Sequence, residues 1–304
     1  MINFQAYPDM KVCKIPSNIT LSTNDFSNKF EYLTNLKTVE LHKNISNLAG
    51  TFYGCTNLTT PVCGDNVEDM TGAYGGCKLI TTAVCGPKVT NMAGAYSQCT
   101  NLTTAVCGPK VTNMAGTYEH CYNLKTAVCG NNVTKLRDTY FRCDNLTTAV
   151  CGNNVIDMDG AYRHCYSLTT AVCGSNVQTM DGTYHNCIRL TTAVCGPNVW
   201  ELTRAYNNCT SLTTAVFGPN LTAIADAYYN CPNIKGNTYV YSDKIDEADY
   251  VFYGRNTSKR LNIYVPLTGT TLNVFTNTSS NNSITGKEIT WTNNMSTNNC
   301  IYNT

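Results

Sequence analysis

Apolar residues recur every 22 positions along most of this chain. The slot that opens each unit holds Leu36, Leu58, Ile80, Leu102, Leu124, Leu146, Leu168, Leu190, Leu212 and Ile234, which gives nine units between Leu36 and Asn233. A fixed period of this length marks a repeat architecture, because each unit can bury its apolar face only against its neighbours. Within the unit that starts at Leu102, Ala105 and Cys107 alternate with Thr104 and Val106, the pattern of a strand with one buried face. Gly108-Pro109 then forces a turn. Val111, Met114 and Tyr118 follow at spacings of three and four, which predicts a short helical or 3-10 turn with one edge inward. Asn123 and its equivalents Asn57, Asn101 and Asn145 sit just before the next strand, where a left-handed residue is expected.

Stacked at about 4.8 Å per coil, nine coils predict a repeat solenoid with one parallel β-sheet and a length of roughly 45 Å. Residues 1–25 read as an N-terminal cap, 26–236 as the solenoid, 237–265 as an atypical capping coil and 266–304 as a Thr/Asn-rich appendage. Capping units of this kind are expected, since an end coil has no neighbour to cover it.

The order Leu-x-x-Ala-x-Cys, Val-x-x-Met, Tyr-x-x-Cys resembles the BspA-type leucine-rich repeat, whose usual units carry Leu-x-x-Val-x-Ile-Pro, Val-x-x-Ile and Ala-Phe-x-x-Cys. The likeness covers about residues 26 to 265, with one residue missing between the middle apolar pair and the aromatic. It implies a right-handed leucine-rich-repeat-like superhelix, a role in surface adhesion and host recognition, and no shared catalytic centre. The departures are the strand Cys and the 22-residue period, so curvature does not carry over. Gly254 to Pro266 also resembles the end of the repeat region in proteins of gut bacteria and their phages.

Charge narrows the partners. A formal net charge of +1 with 13% charged residues offers no basic stripe, so nucleic acid is not an expected partner. No run approaches the roughly 20 apolar residues of a membrane span, and MINFQAYPDMKVCK lacks the build of an export signal. Neither membrane insertion nor a standard signal is expected. The Asn, Thr and Ser polarity suits a particle or matrix surface, placing the chain on a virion or a cell surface.

Eighteen cysteines form two ladders with two outliers, Cys13 and Cys300. One ladder follows the aromatic, from Cys55 to Cys231; the other ends the strand, from Cys63 to Cys195. Disulfides within a coil are disfavoured by the extended strand between the two sulfurs, and each ladder has an odd number of members. Zinc would call for closely spaced pairs with His partners, whereas these spacings alternate 8 and 14. His120, His164 and His185 flank the aromatic slot in separate coils without a common frame. Leu41 and Phe217 occupy the strand-Cys slot at the ends, and Leu33 the other, so buried, reduced thiols that fill volume are expected. Core packing is likewise expected of the Tyr ladder, Tyr74 to Tyr228, with each hydroxyl reaching a partner or water at the edge.

Catalysis needs a cluster of nucleophile, base and orienter that does not simply repeat. Asp157, Asp159 and Asp181 come nearest, in a turn that reads Thr-Asn elsewhere, so no catalytic centre, metal or cofactor is expected. The exposed Thr-x-Val columns, such as Thr104/Val106, read as sheet-stabilising ladders. Ice-binding solenoids also show Thr arrays, although Val in the second column and curvature weigh against that use. The candidate binding surface is the ridge that varies between coils: Glu119, His120 and Tyr122; Phe141, Arg142 and Asp144; Arg163, His164 and Tyr166; His185 and Arg189; and Trp200. Exposed aromatic, His and Arg side chains together compose recognition patches. The expected class is a non-enzymatic recognition protein, a phage fibre or tail-associated component or a cell-surface adhesin. Its partners would be a glycan or protein on a cell surface and other virion subunits; a self-assembling filament subunit is the alternative.

Overall fold

The computed structural model describes residues 4–256 and 261–264. The chain divides into two compact units, Met1–Leu146 and Thr147–Thr304, and the described residues of each form a stack of repeating coils. The first carries a 3-10 helix, Phe4–Ala6, and two strands, β1 (Val12–Lys14) and β2 (Thr38–Glu40). These pair in parallel with Cys13 opposite Val39. The second carries β3 (Gly236–Tyr239) and β4 (Leu261–Tyr264), also parallel, with Gly236 opposite Leu261. Residues 266–304, and Cys300 with them, lie outside the described residues.

The apolar ladder forms the core of each unit. Leu102, Val111, Met114, Tyr118 and Cys121 are fully buried in one coil, and their equivalents are buried in the others. Aromatic rings stack from coil to coil: Phe30, Phe52, Tyr74, Tyr96, Tyr118 and Tyr140 in the first unit, 5.2 to 5.9 Å apart. Tyr162, Tyr184, Tyr206, Tyr228 and Phe252 continue the pattern in the second at 5.3 to 5.7 Å. Phe4 lies against Phe30 at 4.5 Å and covers that ring.

The tyrosine hydroxyls do more than reach an edge. The Val106 N–H donates to the Tyr118 hydroxyl at 2.9 Å, and that hydroxyl donates back to the Val106 carbonyl at 2.5 Å. Tyr96 clamps Val84 in the same way, Tyr184 clamps Val172 and Tyr228 clamps Val216, always 12 residues upstream. A buried peptide group must find a partner, and here the partner is a side chain of the same coil. The expected single sheet is therefore interrupted. Coils touch at isolated parallel bridges such as Thr82 to Thr104 and Thr148 to Thr170, while the clamped Val has no backbone group to spare. Regular strand pairing sits where the aromatic is Phe. Twelve residues before Phe52, Glu40 accepts from the Ile15 N–H at 2.9 Å; twelve before Phe252, Val240 donates to Tyr264 at 2.8 Å.

The predicted helical turn is replaced by an alternation. The Thr51, Tyr53 and Cys55 N–H groups bond three residues back within their coil, whereas Leu48, Gly50, Phe52 and Gly54 donate to Asp69, Thr71, Ala73 and Gly75 of the next. A helix would spend every donor inside its own turn. Here half of them tie neighbouring coils together. Two left-handed residues per coil make this geometry possible, Gly94 and Gln98 in one and Gly116 and His120 in the next. The expected left-handed residues were Asn57, Asn101, Asn123 and Asn145, and none of them is left-handed. Asn123 instead donates its amide to the Thr100 carbonyl of the preceding coil at 3.0 Å. A second bridge column runs Asn47, Asp69, Asn91, Asn113, Lys135 in the first unit. The side-chain oxygens of Asn47, Asp69, Asn91 and Asn113 each accept the N–H two residues on.

Close approach of coils explains the glycine before each turn. A Cβ at Gly108 would lie 2.7 Å from Cys85 Sγ and 3.0 Å from the Gly86 carbonyl oxygen. At Gly86 the same test gives 2.9 Å to Cys63 Sγ and 2.8 Å to the Gly64 oxygen. The strand Cys and the following Gly thus interlock along the stack.

Two substitutions test these contacts. Tyr118→Phe keeps the ring stack but leaves the Val106 N–H and C=O without their partner, so urea unfolding should show a loss of about 1–3 kcal/mol; unchanged stability would refute the clamp. Gly108→Ala should cost about 1–3 kcal/mol by overpacking, and adding Cys85→Ala should recover part of that loss.

Candidate functional site

The ridge lies where each coil turns back after its aromatic. In the first unit the structure gathers Glu119, His120, Tyr122, Phe141, Arg142 and Asp144 into one contiguous group, all half-buried. His120 Nδ1 is 3.1 Å from the Tyr122 hydroxyl, and the imidazole packs edge-on against Phe141 at 5.1 Å. Glu119 Oε1 lies 3.6 Å from His120 Nε2. The Arg142 guanidinium lies over the Tyr122 ring, 5.5 Å from its centre, and its Nη2 is 3.9 Å from Asp144 Oδ2. Arg142 Nε and Asp144 Oδ1 have no hydrogen-bond partner in the protein. Burial pushes the Glu119 and Asp144 carboxyls up, against the pull of His120 on both and of Arg142 on Asp144. These are partly desolvated acceptors.

In the second unit the structure joins His164, Tyr166 and His185. His164 Nδ1 is 3.0 Å from the Tyr166 hydroxyl and 3.3 Å from Asn186 Nδ2, and the two imidazoles are 5.6 Å apart. Burial, then the nearby Arg163, His164 and Arg204 charges, push His185 down to about 4, so it is neutral at physiological pH. Arg163 and Arg189 are exposed. Trp200 belongs to a different column: its main-chain N–H donates to the Gln178 carbonyl and its own carbonyl accepts from Thr222, one residue before Glu201 of the second unit's bridge column, Asp157, Thr179, Glu201, Ala223 and Glu247. Asp157, Asp159 and Asp181 also have structural partners. Asp157 accepts the Asp159 N–H, Asp159 accepts the Asp181 N–H, and Asp181 holds Arg204 through two bonds of 3.2 and 2.8 Å.

His120 and His164 do share a frame, contrary to the sequence reading. Both occupy the slot one residue before the buried Cys, two coils' worth of sequence apart, and each holds a Tyr two residues on. That slot is left-handed in every described coil: Tyr32, Gly54, Gly76, Gln98, His120 and Arg142 in the first unit, then His164, Asn186, Asn208, Asn230 and Gly254 in the second. A residue other than Gly or Asn there costs of order 1 kcal/mol. The signal was in the sequence, in Gly54 and Gly76 earlier in the same column.

The two thiol ladders have different environments. Cys121 Sγ donates to the Tyr96 carbonyl at 3.1 Å, and Cys77, Cys99, Cys187, Cys209 and Cys231 repeat the bond to the preceding coil's aromatic. The slot therefore supplies a weak donor as well as buried volume. Strand cysteines are half-buried; Cys63 Sγ accepts the Gly86 N–H at 3.1 Å and lies 3.5 Å from Met70 Sδ. Every described Cys is a free thiol. Among the described residues, no three His, Cys, Asp or Glu side chains are grouped to hold a metal, and no helix is long and apolar enough to cross a membrane.

Short parallel strands, coil-to-coil turns and a buried Leu/aromatic/Cys ladder define a leucine-rich-repeat solenoid. The chain belongs to the family described as the BspA type leucine rich repeat region, which matches it in six copies over residues 3–118, 73–191 and 181–304. The crystal structure of a leucine-rich repeat protein from Bacteroides ovatus is similar with a TM-score of 0.51 at 16% identity, covering 93% of this chain and 84% of that one. A leucine rich cell surface protein from Faecalibacterium prausnitzii gives 0.41 at 14% identity, covering 91% and 92%. At 16% identity the Bacteroides ovatus likeness speaks to the fold alone. No curated protein matches the chain.

The thiols make a pH prediction. Burial raises Cys63, Cys85 and Cys107 from the ordinary 9.0 to about 11, and Cys121, Cys173, Cys195 and Cys231 to about 12. A thiol raised in the folded state favours folding fully below the unfolded value of 9.0 and loses that contribution as pH climbs through the folded value. Stability should therefore hold to pH 9 and fall toward pH 11–12. At pH 8, Ellman's reagent should react slowly with the native protein and fast after unfolding; fast native reaction of both ladders would contradict this burial.

Proposed function

We propose that this chain is a surface-displayed, non-enzymatic recognition protein, carried on a bacterial cell or a phage particle, that binds a glycan or protein on a cell surface through the variable ridge. The coils provide a rigid support, and the family is one of surface recognition proteins. The observation that carries the reading is the His120, Tyr122, Phe141, Arg142 and Asp144 group. Coils that repeat almost residue for residue elsewhere diverge there, and the divergent side chains contact one another. Ordered aromatic and Arg side chains lose little freedom on binding, which suits them as anchors. The Thr-x-Val columns do not diverge in this way, and their Val backbones are tied to the tyrosines.

Binding of the purified protein to whole bacterial cells should be saturable. Tyr122→Ala, which removes both the hydroxyl on His120 and the ring under Arg142, should weaken it about tenfold without moving the unfolding midpoint. Full binding by Tyr122→Ala and by Phe141→Ala would exclude the ridge. Binding to no cell, together with formation of ordered polymers, would replace this reading with a filament subunit.

A further inference from the structure

We infer that the left-handed slot of the first unit, Gln98, His120 and Arg142, is the contact line for an unbranched neutral glycan that lies along the coil axis with one pyranose unit per coil. This rests on the recognition reading above and narrows its partner. The slot's backbone is easiest for glycine, and the two preceding coils use Gly54 and Gly76. The next three hold Gln, His and Arg at φ of 62°, 59° and 58°; His tolerates that conformation, while Gln and Arg are poorly suited to it, as is Tyr32, which opens the column at 59° and packs against Tyr53. Side chains kept against backbone strain point to a use outside the fold.

The spacing selects the partner. Ridge rings in adjacent coils, His120 and Phe141, are 5.1 Å apart, and the buried ring stack beneath them advances 5.2 to 5.9 Å per coil. One pyranose adds a comparable length to an extended glycan, whereas a peptide strand adds only about 3.3 Å per residue and loses one-to-one register within two coils. The chemistry agrees. Arg142 Nε and Asp144 Oδ1 are a donor and an acceptor without partners. A sugar hydroxyl, which donates and accepts at once, satisfies both after a side-chain rotation. Asp144 offsets the Arg142 charge and Glu119 adds a carboxylate beside His120, which leaves no net attraction for an anionic chain.

The test uses the full chain against an array of linear, neutral β-linked gluco-, manno- and N-acetylglucosamine oligosaccharides of increasing length. Affinity should grow with each added unit up to the three coils of the line and then level off. The variant with Gln98→Gly, His120→Gly and Arg142→Gly should lose at least about tenfold in affinity while its thermal midpoint rises by a few degrees. Gln98→Ala, which keeps the strain and removes the side chain, should weaken binding without raising the midpoint. Length-independent binding, or a triple-glycine variant that binds as the parent does, overturns the contact line. Binding of a cell-surface protein but of no oligosaccharide overturns this inference and leaves the recognition function standing; binding of neither overturns both.

Discussion

The architecture depends on one hydrogen-bonding arrangement, the tyrosine hydroxyl that both accepts from and donates to a single valine residue 12 positions earlier. In an ordinary parallel sheet the Val N–H and C=O would serve neighbouring strands. Taking them into the coil fixes the distance between the strand side and the turn side of each unit and closes the coil on itself. The aromatic stack then carries cohesion between coils, and its offset parallel rings suit that purpose. Phe52 and Phe252, lacking the hydroxyl, coincide with the two places where strands pair in the usual way.

Once the strand side is clamped, coils must be tied elsewhere. The turn side does this by sending alternate N–H groups to the next coil, which requires two left-handed residues per unit. The thiol of the buried Cys adds a further bond to the preceding aromatic's carbonyl. On the strand side the half-buried Cys and the next glycine approach so closely that a methyl group does not fit. Each invariant feature of the unit thus has a mechanical reason, and the two cysteines serve two separate contacts.

Much of this was legible in the sequence, and the failures have physical causes. The 22-residue ladder gave the coil and its buried face because burial follows apolar periodicity directly. Leu33 correctly marked the turn-side cysteine slot as buried volume, whereas the strand slot, expected to be buried from Leu41 and Phe217, is half-buried at Leu41 and at its cysteines; in neither case can volume exchange reveal the S–H bond that Cys adds. Spacings of three and four at Val111, Met114 and Tyr118 suggested a helical turn, since periodicity reports which side chains point inward and not where the N–H groups go. Asn123 was a reasonable left-handed residue by propensity, but the stack uses its amide for a neighbouring carbonyl. The Tyr-to-Val spacing was constant and visible, although nothing in it announced that a hydroxyl would replace a strand partner.

The same mechanics account for where recognition can reside. A position that bonds the next coil through its backbone and lies on the outer turn can change its side chain without changing the stack. The slot of Gln98, His120 and Arg142 meets that condition: the His120 N–H still donates to the Phe141 carbonyl at 2.8 Å, as the Gly76 N–H does to Ser97. The cost of leaving glycine there is local strain, which the clamped and stacked coil can absorb because its neighbours fix the backbone on both sides. Solenoids of this build can therefore hold a costly side chain in a defined place, coil by coil, and the first unit does so in three consecutive coils.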